Sequence, residues 1–176
     1  MTMSNRWASW GTVYTDASVR EGRSFVGMRA VWGTLECLSD RPLRIEGAIE
    51  APTDIVTVHD SFAAETFGIL WGATMAWEAW GEQGLDAVGV RCDSQSAVDL
   101  VGRWRQQRRR RKPRRFHART DIDRICKHFH KRLPRHFYVK TAWVKGHQGT
   151  ATVQGWLNDR VDALAGARAQ PIGACK

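Results

Sequence analysis

The chain of 176 residues is 43% hydrophobic and sets 27 Lys and Arg against 18 Asp and Glu, for a net charge of +9. That length suits one domain over residues 1–176, and no apolar run is long enough for a signal peptide or a membrane span, so a soluble, cytoplasmic protein without a membrane partner is expected. Cys37, Cys92, Cys126 and Cys175 are far apart and form no C-x-x-C pair, which argues against a disulfide framework and against a cysteine-rich zinc site.

In chain order, residues 9–18, 23–33 and 43–51 predict three strands separated by turn-forming EG and SDRP stretches, an antiparallel meander. From Ser61, read as an N-cap, Phe62, Ile69, Leu70, Ala73, Trp77 and Trp80 recur at helical spacing up to Gly81 and Gly84. This predicts an amphipathic helix. AVGVRC at 87–92 predicts a short strand, and a helix follows from Asp93 or Ser94. Residues 103–119 then hold ten of the 27 Lys and Arg and no acid, leaving 17 against 18, or −1, for the rest of the chain. The basic character is local, and a polyanion is its natural partner. A helix near 119–132 ends before Pro134, FYVKTAWVKG (137–146) reads as the last strand, and a glycine-bearing loop runs to about 156. LNDRVDALAGA makes a final helix. The order predicts an α/β layer structure with a mixed five-stranded sheet, three antiparallel strands first, flanked by helices.

Four acids fall where burial is expected. Asp16 lies inside the first strand, where a lone charge is poorly tolerated. Glu65 sits on the buried side of its helix, Asp93 ends a strand, and Asp162 borders the apolar stripe of Val161, Leu164 and Ala165. Gathered carboxylates repel and take up protons unless a cation compensates them. Mg²⁺ prefers a few carboxylates plus a substrate phosphate, and two such ions about 4 Å apart can hold an attacking water and a leaving oxygen in line. Carboxylates with a basic arm therefore suggest a nuclease.

TDAS around Asp16, AAE ending at Glu65, CDSQSAV around Asp93, WVKGHQG around His147 and NDRVDALA around Asp162 resemble the type 1 ribonucleases H, in the family's order, over roughly residues 9–167. The resemblance implies a metal-dependent endonuclease that cuts the RNA strand of an RNA/DNA hybrid, leaving a 5′-phosphate and a 3′-hydroxyl. It implies Asp16, Glu65, Asp93 and Asp162 as ligands of two Mg²⁺ ions, with Mn²⁺ as a substitute. His147 would help proton transfer or product departure from a mobile loop. Gln95 would reach the minor groove of the hybrid and Trp104 would contact the DNA strand. The basic segment would be a substrate-binding protrusion carrying Arg108, Arg109, Arg110, Arg111, Arg114 and Arg115. The chain departs from the family in having Ala17 where glycine is usual, in lacking an asparagine pair before Glu65, and in a longer loop between His147 and Asp162.

Other features have plainer readings. Most of the nine tryptophans fall on apolar faces and are expected in the core, with Trp104, between Arg103 and Arg105, as the exception. Cys126, His128 and His130 are left as helix surface, since on a helix only Cys126 and His130 share a face. RRRRKPRR by composition alone could equally be a solvated or targeting segment. A free-standing monomeric enzyme is expected. The alternatives are a non-catalytic hybrid- or duplex-binding module and the ribonuclease H portion of a reverse transcriptase or mobile element.

Overall fold

A computed structural model describes residues 10–32, 43–108, 117–146, 152–167 and 173–174. Strands β1 (Trp10–Arg20), β2 (Arg23–Trp32) and β3 (Leu43–Glu50) form the expected meander, with Glu21 and Gly22 at positive φ in the first turn. Next come helix α1 (Ser61–Trp80), strand β4 (Ala87–Cys92), helices α2 (Gln95–Arg108) and α3 (Thr120–Arg132), strand β5 (Tyr138–Trp143) and helix α4 (Val153–Gly166). The sheet order is β5-β4-β1-β2-β3, with β4 parallel to both β1 and β5. Beyond the five expected strands, β6 (Gly173–Ala174) adds a two-residue antiparallel edge to β3.

β1 is central, so one face meets α1 and the other meets α4, and Val13, Tyr14, Thr15 and Asp16 are all buried. The odd positions of β1 face α1. Gly68 and Gly72 on that helix lie against Val13, Thr15 and Val26, so the helix packs tightly on the sheet.

Three sequence expectations need correction. α1 is buried around most of its circumference rather than along one stripe, because it is enclosed by the sheet, α2 and α3. Its cap is Asp60, whose carboxylate accepts from the Ala63 N–H at 2.8 Å, with Ser61 already helical. α4 begins at Val153, capped by Thr152, so the preceding loop is shorter than the glycines suggested.

Candidate active site

The parallel ladder between β1 and β4 ends at the Tyr14–Arg91 pair, just short of Asp16 and Asp93. Where the pairing stops, Asp16 from the middle of β1 and Asp93 from the end of β4 share one opening. Glu65 reaches it from α1, on the other side of the sheet. The Ala17 N–H donates to both Asp16 Oδ1 (2.7 Å) and Glu65 Oε1 (3.1 Å), so one amide ties two carboxylates together. Cys92 donates its thiol proton to the other Glu65 oxygen, Oε2, at 3.1 Å. The Trp143 indole N–H donates to the Asp93 carbonyl at 2.9 Å and fixes the chain there.

Two glycines permit this convergence. Gly27 is the β2 partner of Asp16, and a Cβ at residue 27 would collide with the Val161 carbonyl oxygen and the Ala165 nitrogen of α4. Only glycine lets that helix lie so close to the sheet, and the same approach carries Asp162 toward Asp16. Gly146 likewise passes so near Asp93 that a side chain would strike the carboxylate.

The acids are costly to keep charged. Asp16 is 6% exposed and Glu65 5%. Burial first, then the charge of Asp93, with a smaller push from Asp162, raises Asp16 to about 7 in spite of the Ala17 hydrogen bond. Burial, followed by Asp16 and with a lesser push from Asp93, holds Glu65 well above the ordinary carboxylate range. Burial and the neighbouring Glu65 raise the Cys92 thiol too, so its sulfur keeps its proton. Glu65, Cys92 and Asp93 each present a ligand-capable atom within 4.8 Å of the others. With the thiol protonated and donating, the usable donors are oxygens, which suit a hard divalent cation better than zinc.

No protein-family model and no curated protein matches the sequence. Solved structures do match. LC9-RNase H1, described as a type 1 RNase H with the type 2 active-site motif, is 21% identical with a TM-score of 0.60, over 96% of this chain and 78% of that one. LC11-RNase H1, solved in complex with an RNA/DNA hybrid, is 16% identical with a TM-score of 0.55, over 90% of this chain and 96% of that one. The prototype foamy virus protease–reverse transcriptase is 18% identical with a TM-score of 0.54, over 94% of this chain but 21% of that much longer one. The chain has the ribonuclease H fold.

On this ribonuclease H fold, Asp16 and Glu65 share the Ala17 amide, Glu65 and Asp93 stand close together, and Asp162 of α4 is near enough for its charge to act on Asp16. Gln95 stands exposed in the first turn of α2, where its Nε2 donates to Asp99 at 2.8 Å. Trp104 is a correction. It is 4% exposed and packed in the core with Ala97, Leu100 and Val101, so it cannot contact a DNA strand. Arg105 beside it is buried as well, with its guanidinium donating to the Phe137 carbonyl. The start of the basic segment is thus part of α2, with Arg103 exposed. The side chain of Arg108, and all of Arg109, Arg110, Arg111, Arg114, Arg115 and His147, lie outside the described residues.

Sequence reading missed the supporting groups. Cys92 and Trp143 serve the site through hydrogen bonds that no motif spells out. Asn158, one helical turn before Asp162, is 2% exposed, and its amide oxygen and nitrogen have no hydrogen-bond partner among the described residues. The NDRVD spacing, which puts both residues on one face of a helix, was the available signal. Among the described residues no helix is long and apolar enough to cross a membrane.

Proposed function

We propose that this protein is a divalent-cation-dependent endonuclease that hydrolyses the RNA strand of RNA/DNA hybrids, leaving 5′-phosphate and 3′-hydroxyl ends. The observation that supports the reading is the gathering of Asp16, Glu65 and Asp93 at the end of the β1–β4 ladder, within reach of the charge of Asp162, with Asp16 and Glu65 burdened by burial and mutual repulsion. Fold alone would not specify the chemistry; the acid cluster on that fold is what supports this reading.

Asp16, Glu65, Asp93 and Asp162 would hold two Mg²⁺ ions, or Mn²⁺ in their place. When bound, such ions neutralise charge on a phosphodiester and make water a competent nucleophile near neutral pH. The protein's own part is positional. The Ala17 N–H and the Cys92 thiol fix both oxygens of Glu65. Trp143 and Gly146 set the placement of Asp93. β1 and β4 are rigid elements, which suits a site that must keep its geometry while the substrate strand passes. His147, which follows Gly146, would carry a proton to the departing 3′-oxygen or assist product release. Gln95, exposed beside Asp93, would reach the minor groove of the hybrid, and the arginine run would grip its phosphates.

A labelled RNA/DNA hybrid incubated with the protein and Mg²⁺ tests the proposal, with duplex RNA and duplex DNA as controls. Selective loss of the RNA strand of the hybrid is expected. Binding without cleavage would instead establish a non-catalytic hybrid-binding module. The overlap with one fifth of the foamy virus protease–reverse transcriptase fits a second setting for the same chemistry, as the ribonuclease H portion of a reverse transcriptase. Robust cleavage by this chain alone would argue for an independent enzyme.

A further inference from the structure

The sheet has one face that its helices cover incompletely. Residues paired across β1, β4 and β5 share a side, which gives three rows: Trp10–Ala87–Tyr138, Thr12–Gly89–Lys140 and Tyr14–Arg91–Ala142. The intervening rows, such as Val13–Val90–Thr141, face α1 and α2, and Thr141 donates to the Val98 carbonyl of α2. On the first side, among the described residues, α4 packs chiefly over β1 and β2, toward the Asp16 end, and leaves the start of β1 and β5 uncovered by a helix.

What stands on that open face has one chemical character. Trp10 is 37% exposed and Tyr138 40%, and their rings meet at 5.9 Å. The Trp10 indole lies over Gly89, where no side chain intervenes. Lys140 is exposed, and the Arg91 guanidinium sits 5.9 Å from the Tyr14 ring. The three rows contain no acid. Exposed aromatic rings beside cations, on a flat sheet face, are the groups that stack bases and follow a phosphate backbone without reading sequence. Two rows beyond Trp10 and Tyr138, at roughly 3.3 Å per residue along β1, the same face reaches Tyr14 and then Asp16.

We propose that this face, centred on Trp10, Tyr138 and Lys140, binds single-stranded nucleic acid, and so holds an unpaired strand that flanks the hybrid in the catalytic opening. The second half of that statement rests on the hydrolase reading above; the binding itself does not.

The test uses the full chain in EDTA with a fluorescein-labelled oligo(dT) 12-mer, followed by anisotropy. Tyr138→Ala and Trp10→Ala are each expected to weaken binding about tenfold, the loss typical of one stacked base. Lys140→Ala should flatten the log–log salt dependence by about 0.7, one phosphate contact to a single strand. A bromodeoxyuridine version of the oligonucleotide should photocrosslink to peptides containing residue 10 or residue 138. Lys140 and Tyr138 are surface residues, so these variants should keep the parent's thermal midpoint and its cleavage of a blunt-ended hybrid. Parent-like affinity in both Lys140→Ala and Tyr138→Ala, crosslinks confined to residues 103–119, or no binding by the parent would each overturn the proposal. Concentration-dependent dimers abolished by Tyr138→Ala would assign the patch to a second copy of the chain and overturn it too. A parent that binds the 12-mer but leaves the blunt hybrid intact would sink the hydrolase reading and leave the binding face standing.

Discussion

Replacing Asp16 by Asn removes a charge that the fold holds at a cost. The carboxyl titrates near 3.8 when unperturbed and about 7 in the folded protein. Between those values the folded state keeps a proton that the unfolded chain has released, so stability falls as pH rises, by about 1.4 kcal/mol per unit. Below the lower value there is no cost, and above about 7 the cost is complete, on the order of 4 kcal/mol. Asn keeps the shape and can still accept from Ala17, but it alters the hydrogen bond with Glu65, a loss of about 1 kcal/mol. Without divalent cations, Asp16→Asn should therefore be more stable than the parent by about 3 kcal/mol near pH 8, or roughly 6–12 °C in midpoint, with the gain shrinking to near zero toward pH 4.5. Thermal and urea unfolding in EDTA across that range would measure it. Added Mg²⁺ should narrow the gap near pH 8, because only the parent offers the full charge to the cation. A pH-independent difference, or a less stable variant near pH 8, would refute the account of a site strained by its own charge.

Asp93→Asn should nearly abolish hybrid cleavage and leave the fold intact; near-normal turnover would remove Asp93 from the catalytic set. His147→Ala should lose activity only in part, since water can carry protons in its place, and a variant as inactive as Asp93→Asn would make the histidine essential. Replacing Arg108, Arg109, Arg110, Arg111, Arg114 and Arg115 by Ser should raise KM and flatten its salt dependence with little change in kcat, and a salt slope equal to the parent's would dismiss the protrusion. Gly27→Ala forces α4 off the sheet, so about 1–3 kcal/mol of stability should be lost together with activity, and a crystal structure with α4 unmoved would contradict the close-approach argument.

The strands were legible, and the acids stood out as candidates, because each leaves a local mark. Alternation and turn residues placed β2, β3 and β4 to within a residue or so, and a carboxylate inside a strand or on a helix's apolar side announces itself. Trp104 misled because its neighbours in sequence are arginines, whereas its neighbours on the helix are Ala97, Leu100 and Val101. Helical spacing decides a side chain's surroundings: Arg103 falls on the exposed side of α2, while Arg105 is buried and donates to the Phe137 carbonyl. The near-complete burial of α1 could not be read from its own sequence, because it depends on how the sheet, α2 and α3 enclose it. The bonds of Cys92 and Trp143 to the acids join residues far apart in the chain, and no spacing rule reaches them.

The order in which the acids occur along the chain bears on how the protein is made. Asp16 emerges early in synthesis, and β1 must wait for β4, since Trp10 pairs with Ala87 across a long stretch of chain. Such non-local parallel pairing is slow to form. Asp162 comes last, on a helix that reaches its place only by settling onto Gly27. On the proposed reading, a chain whose α4 has not yet docked has three carboxylates and no fourth, and it cannot cut RNA until that helix is in place.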